Sequence, residues 1–228
     1  MELEILFEDN HLIAVNKAAG ILSQGDKTGD ETLADIVKKY LVEKYNKPGE
    51  AFLGVIHRLD RPVSGVVLLA KTSKALSRMN EQFRNRETQK IYWALVQEKP
   101  KLQQGELVHW LRKNEQKNIS TAFDKVVAGA LKAELNYRHL GSSDHYELIE
   151  VMPKTGRHHQ IRVQLAKMGC IIKGDLKYGA KRSNADASIS LHARKLIFLH
   201  PVTKEKIEIT APVPKDPVWQ FFEQNHAS

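Results

Sequence analysis

Residues 57–61 read His-Arg-Leu-Asp-Arg, so the carboxyl of Asp60 lies between the cations of Arg58 and Arg61. A neighbouring cation favours the charged form of a carboxyl by about one to three pKa units. Ionised is the state that a nucleophile or a general base requires. Pro62, Val63, Ser64 and Gly65 follow, and then the unbroken apolar run Val66 to Ala70. Such a run, entered through Pro and Gly, predicts a strand buried on both faces, with a turn holding Asp60 just before it. Asp60 then stands where core meets solvent. Taken alone, the same residue types also fit an ordinary surface ion pair, which is the commoner arrangement.

The elements that would carry this turn are legible in chain order. Leu3–Phe7 and Leu12–Val15 read as short strands separated by the turn Glu8-Asp9-Asn10,. Leu33, Ile36, Val37, Tyr40 and Leu41 follow helical spacing over 32–45, with Thr32 or Asp30 as the cap and Asn46-Lys47-Pro48-Gly49 as the stop,. Phe52–Ile56 leads to the Asp60 turn. Beyond the buried strand, Thr72 or Ser73 caps a helix carrying Leu76, Met79 and Phe83 inward and Lys74, Arg78 and Arg84 outward,. Strands are predicted at Ile91–Val96, Leu107–Leu111, Ser120–Val126, Leu131–Arg138 and Tyr146–Val151,. Two-residue alternation in the first of these puts Tyr92 and Trp93 on opposite faces, one packed and one open to a cleft. A helix opens at Gly156 and stops at Gly169, bringing His158, Arg162 and Leu165 onto one face,. A hairpin at His200–Thr203 joins Lys195–Leu199 to Lys206–Thr210, and Asp216–Phe222 forms a short terminal helix. The pattern predicts an α+β (mixed α/β) protein: a large mixed, mainly antiparallel sheet flanked by helices, with a central cleft, as a single domain over 1–228.

Composition narrows the function. With 228 residues, 42% of them hydrophobic, the chain buries a substantial core,. No apolar run reaches the roughly 20 residues that cross a bilayer, and the acidic start Met1–Asn10 is not a secretory leader, so the protein is expected to begin at Met1 in the cytoplasm, away from membranes,. One cysteine, Cys170, excludes an internal disulfide,. The ten histidines show neither HExxH nor His-x3-His spacing, and no metal is expected,. GxGxxG, P-loop and GxSxG patterns are absent, which leaves dinucleotide binding, NTP hydrolysis and α/β-hydrolase chemistry without their signatures. Net charge is +8. From Arg157 to Lys195 nine Lys and Arg stand against two acids, a surplus suited either to gripping a phosphate backbone or to a solvated surface,.

His57-Arg58-Leu59-Asp60, with Ser64-Gly65 and the strand behind it, resembles the first signature of the RluA-type family of RNA pseudouridine synthases. Lys90-Ile91-Tyr92-Trp93-Ala94-Leu95-Val96 resembles the second, and Thr155-Gly156-Arg157-His158-His159-Gln160-Ile161-Arg162-Val163 the third. Asn16-Lys17-Ala18-Ala19-Gly20, Gly174-Asp175 with Tyr178-Gly179, and Leu191-His192-Ala193 through His200-Pro201 to Ala211-Pro212 extend the likeness over Leu6 to Pro214. Several motifs in fixed order make chance a poor explanation.

The resemblance implies an isomerase that converts uridine in ribosomal or transfer RNA to pseudouridine with no cofactor. The N1–C1′ bond breaks, the base turns, and C5 joins C1′. Asp60 would be the essential carboxylate, Arg162 its salt-bridge partner, and Tyr92 the aromatic that stacks on uracil. Arg58 would fill the space left by the flipped nucleotide. His57, Arg157, His158, Lys173, Lys177 and Arg182 complete the expected RNA contacts. The family often carries an S4-like RNA-binding module at the N-terminus, which this chain is expected to lack. Ala18 stands where the family has proline, Val63 where it has threonine, Gln164 where it has histidine, and Cys170–Lys173 where it has His-Pro-Ile-Leu. The last three bear on substrate choice, whereas Ala18 only loosens its turn. A catalytically silent RNA-binding or ribosome-assembly factor on the same fold is the alternative, favoured by loss of Asp60, Tyr92 or Arg162, all of which are present. A uracil N-glycosidase would differ by releasing free uracil. With no exposed heptad, a monomer is expected.

Overall fold

All seven residues of the strand behind the Asp60 turn, Ser64–Ala70, are buried, as the unbroken apolar run predicts. The computed structural model describes residues 3–25, 29–46 and 48–226; the expected start at Met1 and Lys47 of the helix-ending turn lie outside them. In chain order the described residues form β1 (Ile5–Glu8), β2 (Leu12–Lys17), α1 (Leu33–Lys44), β3 (Gly54–Val55), β4 (Ser64–Ala70), α2 (Ser73–Asn85), β5 (Gln89–Val96), β6 (Gln104–Asn114), β7 (Ile119–Phe123), β8 (Leu131–Ser142), β9 (Glu147–Pro153), α3 (Gln160–Lys167), a 3-10 turn (Leu176–Tyr178), β10 (Leu191–Leu199), β11 (Lys206–Thr210) and α4 (Pro217–His226). The fold is the mixed α/β class that the pattern predicts. It divides into two compact units, residues 1–90 with 193–214, and residues 91–192 with 215–228.

In the first unit the strand order is β1-β2-β4-β10, with β11 paired to β10 and β3 to β4. β2 and β4 run antiparallel, Leu12 opposite Ala70 and Lys17 opposite Gly65. One face of this sheet carries Leu12, Ala14, Val66, Leu68 and Phe198, and Ala75 and Met79 of α2 close over it. Thr72 caps α2 by accepting the Ala75 N–H at 3.2 Å. Between the two candidate caps of α1 the structure selects Thr32. Its hydroxyl accepts the Asp35 N–H at 3.2 Å, while Asp35 accepts the Thr32 N–H at 3.1 Å. Reciprocal capping satisfies two otherwise orphaned donors, which Asp30 alone would not do.

In the second unit the order is β5-β9-β8-β6-β7, and each of these neighbouring pairs is antiparallel. β6 and β8 run several residues past their expected bounds, because backbone pairing continues where side-chain alternation fades: Gln104–Glu106 of β6 pair with β8, Arg112–Asn114 with β7, and Gly141 and Ser142 of β8 with β9. Trp93 is the packed member of the β5 pair at 4% exposure, and Tyr92 is the more open one. The helix expected from Gly156 starts instead at Gln160. His159 has a left-handed backbone, φ 52°, and the Gln160 side chain reaches back to accept the Arg157 N–H at 3.0 Å and the Thr155 hydroxyl at 2.7 Å. Residues 155–159 therefore form a turn. His158 lies ahead of α3 and does not share its face with Arg162 and Leu165. Gly169, at φ 91°, follows the helix as expected.

Candidate active site

Asp60 sits in a loop whose backbone is tied at Leu59, Asp60, Arg61 and Val63. Val63 N–H closes a tight turn on the Asp60 carbonyl at 3.0 Å. On the N-terminal side, the Ser23 hydroxyl donates to the Leu59 carbonyl at 2.9 Å and accepts the Leu59 N–H at 3.1 Å. Behind the loop, His57 accepts the Leu68 N–H on Nε2 at 3.0 Å, and its ring stacks on Phe83 with centroids 5.1 Å apart. A ring nitrogen that accepts must be unprotonated, and burial, aided by the Lys90 charge, pushes His57 down to about 3,. Gly65 enters β4 at φ 115°, where an added Cβ would lie 2.3 Å from the Ala193 carbonyl oxygen. Only glycine fits that approach.

The countercharge beneath this loop is Lys17, a residue sequence reasoning treated only as part of a turn. Its side chain is fully buried, and Nζ donates to the carbonyls of Ala18 at 3.1 Å, Ile21 at 2.9 Å and Arg61 at 3.2 Å. Burial lowers Lys17 to about 7, against the pull of the Asp60 charge and with the push of Arg61. Gly20 N–H also donates to the Arg61 carbonyl at 2.8 Å, so the 16–20 turn clasps the residue after Asp60 from two sides. Arg61 itself pairs with Asp30 at 2.9 Å, both half exposed, and donates from Nε to Gly20. The signal that marks Lys17 is its place at the end of β2, two residues beyond the apolar run Leu12–Val15 and opposite Gly65. A lysine so placed has to find acceptors.

Tyr92 and Arg162 belong to the second unit. Tyr92 pairs across β5 and β9 with Val151. Arg162 is 4% exposed and grips Asp175, itself 1% exposed, with Nε to Oδ2 at 2.7 Å and Nη2 to Oδ1 at 2.8 Å. The Tyr178 ring lies 5.2 Å from the guanidinium carbon. Tyr178 Oη accepts the Ser120 N–H at 2.8 Å and lies 2.9 Å from His159 Nδ1. Burial first, then the charge of Arg162, lowers His159 to about 2, so that ring is neutral. His158 stacks on His159 at 3.8 Å and meets the Ser120 hydroxyl through Nδ1 at 2.9 Å. Asp175, Tyr178 and His159 stand inside the quoted motifs, but their convergence on one arginine has no local periodic signature.

Of the other expected contacts, Arg58 is exposed, beside His57 in the first unit. Arg157, Lys173, Lys177 and Arg182 fall in the second. Arg157 donates from Nε to the Lys132 carbonyl at 3.0 Å, Lys173 to Asn184 at 2.8 Å and Lys177 to the Asn118 carbonyl at 3.2 Å. Arg182 is exposed, as is Lys181. The basic surplus of 157–195 is less external than its count. Arg162 and Arg194 are buried, Lys167 pairs with Asp124 at 3.0 Å, and Lys195 pairs with Glu208 at 2.5 Å. Among the described residues no helix is long and apolar enough to cross a membrane.

The model of the family described as RNA pseudouridylate synthase matches residues 11–167. The chain is 33% identical over 230 residues to the ribosomal large subunit pseudouridine synthase C of Vibrio cholerae, covering 93% of this chain and 67% of that one. It is 35% identical over 246 residues to the tRNA pseudouridine synthase C of Haemophilus ducreyi, covering 97% and 94%. The solved structure of human RNA pseudouridylate synthase domain containing 4 superposes with a TM-score of 0.80 at 25% identity, over 97% of this chain and 93% of that one.

Proposed function

The chain belongs to the RNA pseudouridylate synthase family, of the RluA type, and from that membership we propose that Asp60, Tyr92 and Arg162 carry its isomerisation of uridine in ribosomal or transfer RNA. The reaction breaks the bond from N1 to C1′ and makes one from C5 to C1′. The proton lost from C5 is matched by one gained at N1, so atoms and charge balance without an oxidant. Attack at C1′ and removal of a ribose proton both call for one ionised carboxylate held beside the sugar. The observation that carries the reading is the Asp60 loop: a turn at the head of the fully buried β4, tied at Leu59, Arg61 and Val63 and underlain by the Lys17 cation. That is a rigid base for the residue that carries the carboxylate. In the same reading Arg162 is its countercharge, and Tyr92 stacks on the uracil. Arg58 fills the gap in the stack, whose opening costs a few kcal/mol. Arg157, His158, Lys173, Lys177 and Arg182 meet the RNA, and His57 serves the site by holding the loop. The two units work as one catalytic domain, as a monomer in the cytoplasm.

The test is Asp60→Ala against the unsubstituted protein, on unmodified transcripts of large-subunit ribosomal RNA and tRNA, with pseudouridines mapped and RNA binding measured in parallel. The expected result is complete loss of pseudouridine with binding retained. Retained activity overturns the role of Asp60. A wild-type protein that binds these RNAs and leaves every uridine unchanged is a silent binder, and one that releases free uracil is a glycosidase.

A further inference from the structure

We propose that Asp175, together with Tyr178, is a positioning residue that fixes which edge of the Arg162 guanidinium is offered to the reaction; this rests on the role given to Arg162 above. A guanidinium is a planar fork with five N–H donors, and the way it is gripped decides where the rest point. Asp175 takes the Nε and Nη2 edge with both carboxylate oxygens, at 2.7 and 2.8 Å. Two parallel bonds prevent the group from turning in its plane. The Nη1 end is thereby directed away from Asp175.

The out-of-plane motion is restrained as well. The Tyr178 ring covers the guanidinium at 5.2 Å. That ring cannot swing freely, because its hydroxyl is held by the Ser120 N–H at 2.8 Å and faces His159 Nδ1 at 2.9 Å. His159 meets the ring edge-on, with centroids 5.6 Å apart at 81°. Asp175 is equally fixed. Its N–H donates to the Ile172 carbonyl at 3.0 Å, and its own carbonyl accepts the N–H groups of Tyr178 at 3.1 Å and Ala180 at 3.0 Å. Gly174, at φ 85°, has no room for a side chain, since a Cβ there would lie 2.7 Å from the Ser188 carbonyl. Carboxylate and ring thus hang on one short turn, 174–180, that faces α3.

Stability alone does not account for this arrangement. Taking two charges to 4% and 1% exposure costs about as much solvation as the pair regains, so a buried pair is a weak source of folding energy,. What it supplies is direction. A misplacement of about 1 Å in a catalytic group is enough to cost about 100-fold in rate.

The experiment compares Asp175→Asn, Tyr178→Phe, Arg162→Lys and the double variant Asp175→Asn/Arg162→Lys with the unsubstituted protein, on the same transcripts, with thermal midpoints recorded. Asparagine keeps the shape but puts an amide N–H against a guanidinium N–H, so the grip is lost. Asp175→Asn is expected to lower kcat about 100-fold with KM for RNA unchanged. Lysine cannot take the two-point grip, so in the Arg162→Lys background the Asp175 change is expected to lower kcat no further. Tyr178→Phe, which keeps the ring and loses its tethers, is expected to give a smaller loss in kcat alone. The proposal is overturned if Asp175→Asn keeps wild-type kcat, if its effect lies in KM, or if its loss multiplies with that of Arg162→Lys. If Asp175→Asn does not fold, a wild-type kcat in Tyr178→Phe overturns it. An inactive wild-type protein instead removes the functional reading on which it rests.

Discussion

Lys17 shows how one side chain couples fold to chemistry. A buried ammonium is costly unless its donors are used, and here they reach three carbonyls that belong to the 16–21 turn and to Arg61,. Lys17→Met, close in volume, strands those carbonyls while removing the buried charge. We expect a net loss of about 1–3 kcal/mol in urea unfolding. Activity at a temperature where the variant is folded should fall as well, because the Arg61 carbonyl that Lys17 holds is one peptide from Asp60. Unchanged stability would mean that water replaces the ammonium. Arg61 illustrates the opposite case. Read in sequence it flanks Asp60, but its guanidinium turns to Asp30 and Gly20, and the cation under the loop comes from 44 residues earlier in the chain. Adjacency along the chain does not specify which way a long side chain points.

At the scale of elements, the loop before β4 and the turn before α3 each hang on a neutral histidine. His57 is pushed down to about 3 and His159 to about 2, both chiefly by burial. In the unfolded chain each titrates near 6.5. Between that value and the folded one, the unfolded state binds protons that the folded state refuses, so stability rises with pH through this window and is fully present above about 6.5. Each histidine contributes a slope of up to about 1.4 kcal/mol per pH unit below that point. Equilibrium unfolding from pH 7 to 5 should show this decline, and His57→Gln should make it shallower. Loss that begins only below pH 4.5 would instead point to Glu8. Burial alone would raise that carboxyl, but hydrogen bonds from Lys44, Lys71, Tyr45 and Tyr40 override it and hold it at about 2.

For the whole molecule, RNA affinity should follow the external charge rather than the formal +8. Several cations of the basic segment are buried or paired within the protein, among them Arg162, Lys167, Arg194 and Lys195, and they release no counterions on binding,. Lys181 and Arg182 are exposed. Replacing both with Ala should weaken RNA binding and flatten the dependence of log affinity on log salt by about 0.7 per lost phosphate contact, leaving kcat at saturating RNA unchanged. An unaltered slope would place the RNA path elsewhere.

By itself the sequence determined the order of the elements, the burial of β4 on both faces, the family and the candidate carboxylate, because hydrophobic period and motif order are written in neighbouring residues. Simple alternation also put Tyr92 and Trp93 on opposite faces, and the packing decided that Trp93 is the buried one. The start of α3 was beyond it, since the Gln160 side chain and the left-handed His159 outweigh a pattern that runs helical from Gly156. Lys17 beneath Asp60, Asp175 on Arg162, and Tyr178 tied to Ser120 were likewise decided only by the tertiary structure. Each joins groups between 13 and 58 residues apart, where the partner is chosen by how the chain packs and which buried polar groups must be satisfied,.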